Sequence, residues 1–145
     1  MVIREARLVQ KLRKGLKQLL LGALVLKIND KSTSGIPDLV ITHNDRTLWI
    51  ETKATTKYGT KAGFKKHINY LQLVTCCQLE RYGRCFYLIQ YDKNAVVAIR
   101  PSKVRDALAK NDFDFFADIK FQASFVGTVD DVIVFICDLM KEPRR

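Results

Sequence analysis

GIPDLVITHNDRTLWIETK, Gly35 to Lys53, consists of two apolar runs joined by a polar turn, with an acid at the outer end of each run. DLVIT and TLWIETKA read as strands, and a tight turn over His43 to Arg46 joins them. If Asn44 and Asp45 are its central residues, both tolerate the backbone that a two-residue hairpin turn demands. Facing residues then have numbers that sum to 89, which sets Asp38 opposite Glu51. Their Cβ atoms would lie roughly 5 Å apart on one face of the sheet. Lys53 projects from that same face, because strand side chains alternate with period two. Packing gains nothing from two acids and a lysine in these places.

Two carboxylates so placed repel, and each raises the pKa of the other unless a cation lies between them. A hard divalent ion with oxygen ligands would stabilise the pair, and Mg²⁺ suits acids that leave sites free for water and phosphate. The plainer alternative is a pair of solvated charges at a strand edge, with Lys53 in an ordinary ion pair. Spacing alone does not choose between them. Glu5 adds weight to the first. It lies on the apolar stripe of the first helix, where an unpaired buried carboxylate would cost several kcal/mol. Exposing it by turning the helix would also expose Leu8, Val9 and Leu12. A frayed first turn, or an acid that favours a helix N-terminus, would account for it as well.

Around this hairpin the chain reads as one domain, residues 1–145, with no internal repeat or linker. In IREARLVQKLRKGLKQLL, the positions Leu8, Val9, Leu12, Leu16, Leu19 and Leu20 trace one helical face. Arg4, Arg7, Lys11 and Lys14 form a second, basic stripe. Gly22 can end that helix, and ALVLKI follows as a short strand. NDKSTSG and KYGTKAG are polar loops. FKKHINYLQLVTCCQLERYG has the period of one helix of about five turns, with Gly83 as its C-cap. CFYLIQY and AVVAIR are strands around a DKN turn, and SKVRDALAK is a helix behind Pro101. From Asn111 to Met140 the pattern is least legible; VIVFICDLM reads as strand material. The order gives an α/β sandwich on a mixed sheet.

The net charge is +10, which points to a polyanionic partner, nucleic acid or an anionic membrane surface, although solubility alone would also use it. No stretch is long and apolar enough to span a membrane, and LLLGALVL is no secretory signal. Cys76, Cys77, Cys85 and Cys137 fit neither a zinc spacing nor an extracellular disulfide framework, so reduced thiols in an intracellular protein are expected.

The residues Pro37-Asp38, then Glu51-Thr52-Lys53, with Glu5 as the acid of the first helix, resemble the PD-(D/E)xK nuclease superfamily. EARLVQKL, the STSG loop and GIPDLVI are similar to archaeal-type Holliday junction resolvases. GIPDLVI…WIETK followed by a helix that carries Gln72 also looks like the VRR-type nuclease domain. The resemblance covers about Glu5 to Tyr91. It implies a restriction-endonuclease-like fold with an α-β-β-β-α-β core. It also implies hydrolysis of DNA phosphodiesters with Mg²⁺, for which Mn²⁺ could substitute. On that resemblance Asp38, Glu51 and the Thr52 carbonyl hold the metal, Glu5 holds it or a second ion, Lys53 acts at the attacking water, and Ser34 contacts phosphate.

Lys57, Lys61, Lys65 and Lys66, with Tyr58 and Phe64 interleaved, are expected at the DNA backbone beside this site; Arg4 and Arg7 are the next candidates. Gln72 faces either the site or solvent. His43 and His67 are too isolated for a histidine metal site, and the cysteines do not fit an iron–sulfur cluster. The expected protein is a homodimeric endonuclease for branched DNA, with no organic cofactor and with VIVFICDLM as its self-contact. Flap, single-stranded or duplex DNA is the alternative substrate, and a non-cleaving DNA-binding protein on the same fold is the alternative class.

Overall fold

A computed structural model of the chain describes residues 5–28, 35–54 and 61–141. The hairpin that organises it forms as its turn residues dictate. Asn44 and Asp45 have φ of 48° and 65°, the left-handed pair that closes a two-residue turn without splaying the strands. Strands β2 (Leu39–His43) and β3 (Arg46–Ala54) therefore pair as Leu39↔Ile50, Val40↔Trp49, Ile41↔Leu48, Thr42↔Thr47 and His43↔Arg46, each summing to 89. Strand β1 (Leu24–Lys27) adds antiparallel to β2.

The chain leaves β3 through α2 (Lys61–Lys66) and α3 (Tyr70–Tyr82), then returns parallel to it as β4 (Arg84–Asp92). Strands β5 (Ala95–Ile99) and β6 (Phe125–Gly127) complete a mixed six-stranded sheet in the order β1-β2-β3-β4-β5-β6. Helix α4 (Pro101–Ala109) and a π-helical turn at Phe116–Lys120 lie between β5 and β6, and α5 (Val129–Lys141) closes the described chain.

Alternation along the strands divides the core between two layers. Val25, Leu39, Ile41, Leu48, Ile50 and Leu88 point to one face, where Leu8, Leu12 and Leu16 of α1 (Glu5–Leu19) and Val132, Ile133 and Ile136 of α5 cover them. Tyr87, Ile89, Val97 and Ile99 point to the other, under Leu73 and Cys76 of α3, Val104 of α4, and Phe64 and Phe115. Glycine in a helix interior costs about 1 kcal/mol relative to alanine, and Gly15 has a packing reason for it. A Cβ there would stand 2.6 Å from Ile133 Cδ1, so the missing side chain lets α5 approach α1 closely.

Four expectations need correction. Phe64, expected among the lysines at the DNA backbone, is 1% exposed and packs in the core. VIVFICDLM is not strand but most of α5, and Val132, Ile133, Ile136, Cys137 and Met140 are buried. These residues form the core, which accounts for the hydrophobicity that makes the run the expected self-contact. The long helix from Phe64 to Tyr82 is broken, because Asn69 caps α3 by accepting the Gln72 N–H at 3.1 Å. Leu19, placed on the buried face of α1, is half exposed; Leu20 takes the core position at the helix end.

Candidate active site

The hairpin register delivers Asp38 and Glu51 to the same end of the sheet, but the two acids do not meet head-on. The Asp38 N–H donates to Glu51 Oε1 at 3.2 Å. The Asp38 carboxylate turns instead to Thr52, whose N–H and hydroxyl donate to Oδ2 at 3.0 Å and 2.7 Å. Each carboxylate thus accepts from the opposite strand, which holds both in place and eases their repulsion. Thr52 is fully buried and points to the α1 face, while Glu51 and Lys53 point to the α3 face.

Glu51 is 1% exposed, and its Oε2 forms an ion pair with Lys53 Nζ at 2.9 Å. Burial pushes the Glu51 carboxyl up to about 7; Lys53 pulls against that rise, and nearby Asp38 adds to it. Burial would lower Lys53, but the Glu51 carboxylate, and then Glu5 and Asp38, outweigh it and hold its ammonium above the ordinary value. Lys53 therefore stays charged at neutral pH. Its other contact is Gln72 Oε1 at 3.4 Å, so α3 reaches into the site through the residue whose direction the sequence leaves undecided.

Glu5 approaches from the opposite layer, at the start of α1. The residue is exposed, yet its carboxyl group reaches the Ala54 backbone at the end of β3. Burial raises its pKa most, Lys53 lowers it, Asp38 raises it, and a hydrogen bond from the Ala54 backbone lowers it; the balance is upward. It senses the same charges as Glu51 but rises from the other side of β3. Among the described residues, no three acids, histidines or cysteines gather closely enough to hold a metal ion. The donor set still suits a hard divalent cation. Asp38 and Glu51 supply carboxylate oxygens from neighbouring segments of the hairpin, and the Asp38 charge adds to the rise that burial imposes on Glu51.

No family model matches the chain, and no curated protein is recognisably similar to it. Among solved structures the chain is similar to Hjc, a Holliday junction resolvase from the archaeal hyperthermophile Archaeoglobus fulgidus. The TM-score is 0.57 at 12% identity, over 88% of this chain and 98% of that one. The fold is that of an archaeal Holliday junction resolvase. The expected mixed sheet flanked by helices is the fold found. The resolvase-like fold also extends past Tyr91, where the recognisable sequence motifs stop, because 88% of the chain is covered. At this identity the likeness is one of fold, and the chemistry rests on the residues themselves.

Around the resolvase-like sheet, then, Glu5, Asp38, Glu51, Thr52, Lys53 and Gln72 come together. Lys65 and Lys66 are exposed on α2, which follows the site strand, and Arg7, Lys11 and Lys14 are exposed on α1. Arg4, Ser34 and Lys57 lie outside the described residues, as does the side chain of Lys61. Sequence reasoning missed Asn69, which fixes where α3 begins and so where Gln72 points. Asparagine just before YLQL is the signal that could have found it. It also underrated His67, whose positive form would lower the Glu5 pKa, so the ring lies near the site. No helix among the described residues is long and apolar enough to cross a membrane.

Proposed function

We propose that this protein is a divalent-metal-dependent endonuclease that hydrolyses phosphodiester bonds in branched DNA. The observation that carries this reading is the Glu51–Lys53 ion pair beside Asp38, at one end of a resolvase-like sheet. Asp38 and Glu51 would hold the cation with the Thr52 carbonyl, and Glu5 would join them from the α1 side. Such an ion, Mg²⁺ or Mn²⁺, supplies Lewis-acid polarisation of a phosphoryl oxygen and eases loss of a proton from water.

The residues of the chain do the positioning. Lys53, kept protonated by Glu51, orients the attacking water and offsets the charge that develops on the phosphate, so it is not the general base. Gln72 accepts from the Lys53 ammonium and restrains it as a second partner beside Glu51. In the hydrolysis, the water oxygen bonds to phosphorus as one ester P–O bond breaks, and the departing oxygen takes up a proton. Lys65 and Lys66, with Arg7, Lys11 and Lys14, hold the DNA backbone.

One observation favours a second reading, a DNA-binding protein that does not cut: among the described residues, Glu5, Asp38 and Glu51 are neighbours but are not close enough together to hold a metal ion as they stand. A cleavage panel separates the two. Four-way junction, flap, duplex and single-stranded DNA are each incubated with Mg²⁺, Mn²⁺ or EDTA. Cutting of the junction with either metal and none with EDTA is expected; binding without cutting under every condition would leave the second reading.

We further propose a homodimer, with its contact moved from VIVFICDLM to the side of β1 and β2 that no helix among the described residues covers. Leu24 and Leu26, Val40 and Thr42, and Thr47 and Trp49 share that face across three strands, and none is charged. Two copies that each carry +10 can approach most easily through such a neutral strip. Light scattering should give twice the chain mass for the wild type and a single chain for Leu24→Glu/Leu26→Glu. A wild-type monomer would remove the contact and favour a substrate with one strand to cut.

A further inference from the structure

On the side of α3 away from Lys53, a groove of about 240 Å³ runs between α3 and α4. Tyr70, Val74, Cys77 and Arg81 form one stripe along α3, at the spacing of successive helical turns, with Leu73 beneath them. Arg105 of α4 faces this stripe. We infer that this groove is a subsite for an unpaired nucleotide strand of the DNA, an assignment that rests on the nuclease reading of the neighbouring site.

The lining has the two chemistries a single strand needs. Tyr70 is 75% exposed, a large aromatic surface with room for a base to stack, and Val74 continues the apolar wall. Two guanidinium groups supply charge for phosphate. Arg81 has no ion pair among the described residues, and Arg105 has only its neighbour Asp106 at 3.7 Å, a solvent-exposed contact that leaves its charge available. The other nearby acid, Glu80, is occupied, accepting the Ser102 N–H and hydroxyl at 2.8 Å each.

Position favours a nucleotide strand over an acidic peptide. Gln72 touches Lys53 from one side of α3, while Tyr70 stands at the same end of the helix on the groove side. From Gln72 to Arg81 the helix rises roughly 13 Å, room for a few nucleotides. A strand that leaves the site over the start of α3 would enter the groove at Tyr70, pass Arg105 beside Cys77 and reach Arg81 in the last turn of α3.

The test uses the full chain in EDTA, so that no DNA is cut. Anisotropy of a fluorescent thymidine oligonucleotide compares the wild type with Tyr70→Ala and with Arg81→Ala/Arg105→Ala; melting curves confirm folding. Each variant should bind the oligonucleotide at least about fivefold more weakly, with blunt duplex affinity unchanged. Cys77 gives an independent readout, since Cys76, Cys85 and Cys137 are buried and it is not. Burial raises its thiol pKa, so alkylation is followed at mildly alkaline pH. The oligonucleotide should slow that alkylation in the wild type and not in the double-arginine variant.

Unchanged affinity in the variants, no protection of Cys77, or equal protection by polyglutamate would each overturn the subsite. Failure of the nuclease reading looks different. A protein that cuts no DNA but whose Cys77 the oligonucleotide protects keeps the groove and loses the catalysis.

Discussion

Asp38→Asn and Glu51→Gln each lower DNA cleavage by about 10³-fold or more while DNA affinity stays within a few fold. The asymmetry follows from separate placement of the two tasks. The carboxylates sit at the strand ends, Glu51 almost fully buried, whereas Lys65, Lys66, Arg7, Lys11 and Lys14, to which the backbone contacts are assigned in the proposed function, are exposed. Asp38→Asn keeps the shape of the side chain and an oxygen that can still accept from Thr52, so a loss of activity in a protein that melts normally is chemical, not structural. Lys53→Ala belongs to the same series, with activity lost and metal binding kept, because its ammonium is assigned to water and phosphate. Single-turnover cleavage and filter binding on one DNA preparation read both quantities. Full activity in Asp38→Asn would end the proposed mechanism.

The second large effect is thermodynamic and concerns Glu51 in the metal-free protein. Its folded pKa of about 7 lies above the ordinary 4.5. The folded state therefore favours the protonated acid. Its contribution is fully present below pH 4.5 and is lost as the pH rises through 7. A shift of that size corresponds to at most about 3 kcal/mol. Glu51→Gln mimics the protonated form. In EDTA at pH 8 the variant should melt several degrees above the wild type, and the gap should close as the pH falls toward 4.5. Adding Mg²⁺ at pH 8 should raise the wild-type melting temperature and leave the variant nearly unmoved, since an ion that binds only the folded site stabilises by linkage. Identical melts at both pH values would mean that ionised Glu51 carries no net cost in the fold.

The hairpin is the most legible part of the chain because its rules are local. Two turn residues that accept positive φ set the register, and the register alone brings Asp38, Glu51 and Lys53 to one end of the sheet. Register says nothing about the rotation of each side chain, so the turn of the Asp38 carboxylate toward Thr52 is not legible in the sequence. Helix α5 departs from expectation for a different reason. Val132, Ile133, Val134, Phe135 and Ile136 make a β-prone run, and tertiary packing against α1 overrides that preference. A helix signal is present all the same. Thr128 and Asp131 cap each other, the Thr128 N–H donating to the Asp131 carboxylate and the Asp131 N–H to the Thr128 hydroxyl, both at 3.1 Å. Val129, Val132, Ile133, Ile136, Cys137 and Met140 then follow at helical spacing. The break before α3 has the same origin, since apolar period runs on across Asn69 and only the cap marks the new start.

The turn at Asn44 and Asp45 lies at the far end of the hairpin from every candidate catalytic group, yet it sets the alignment on which they depend. A strand slip of one residue turns each side chain to the opposite face. Losing or gaining a single residue there could therefore dismantle the site with each of its acids still in the sequence. For descendants of this gene, length between Asp38 and Glu51 is as much a part of the inherited chemistry as the acids. An intact motif read without that length says little about whether an enzyme remains.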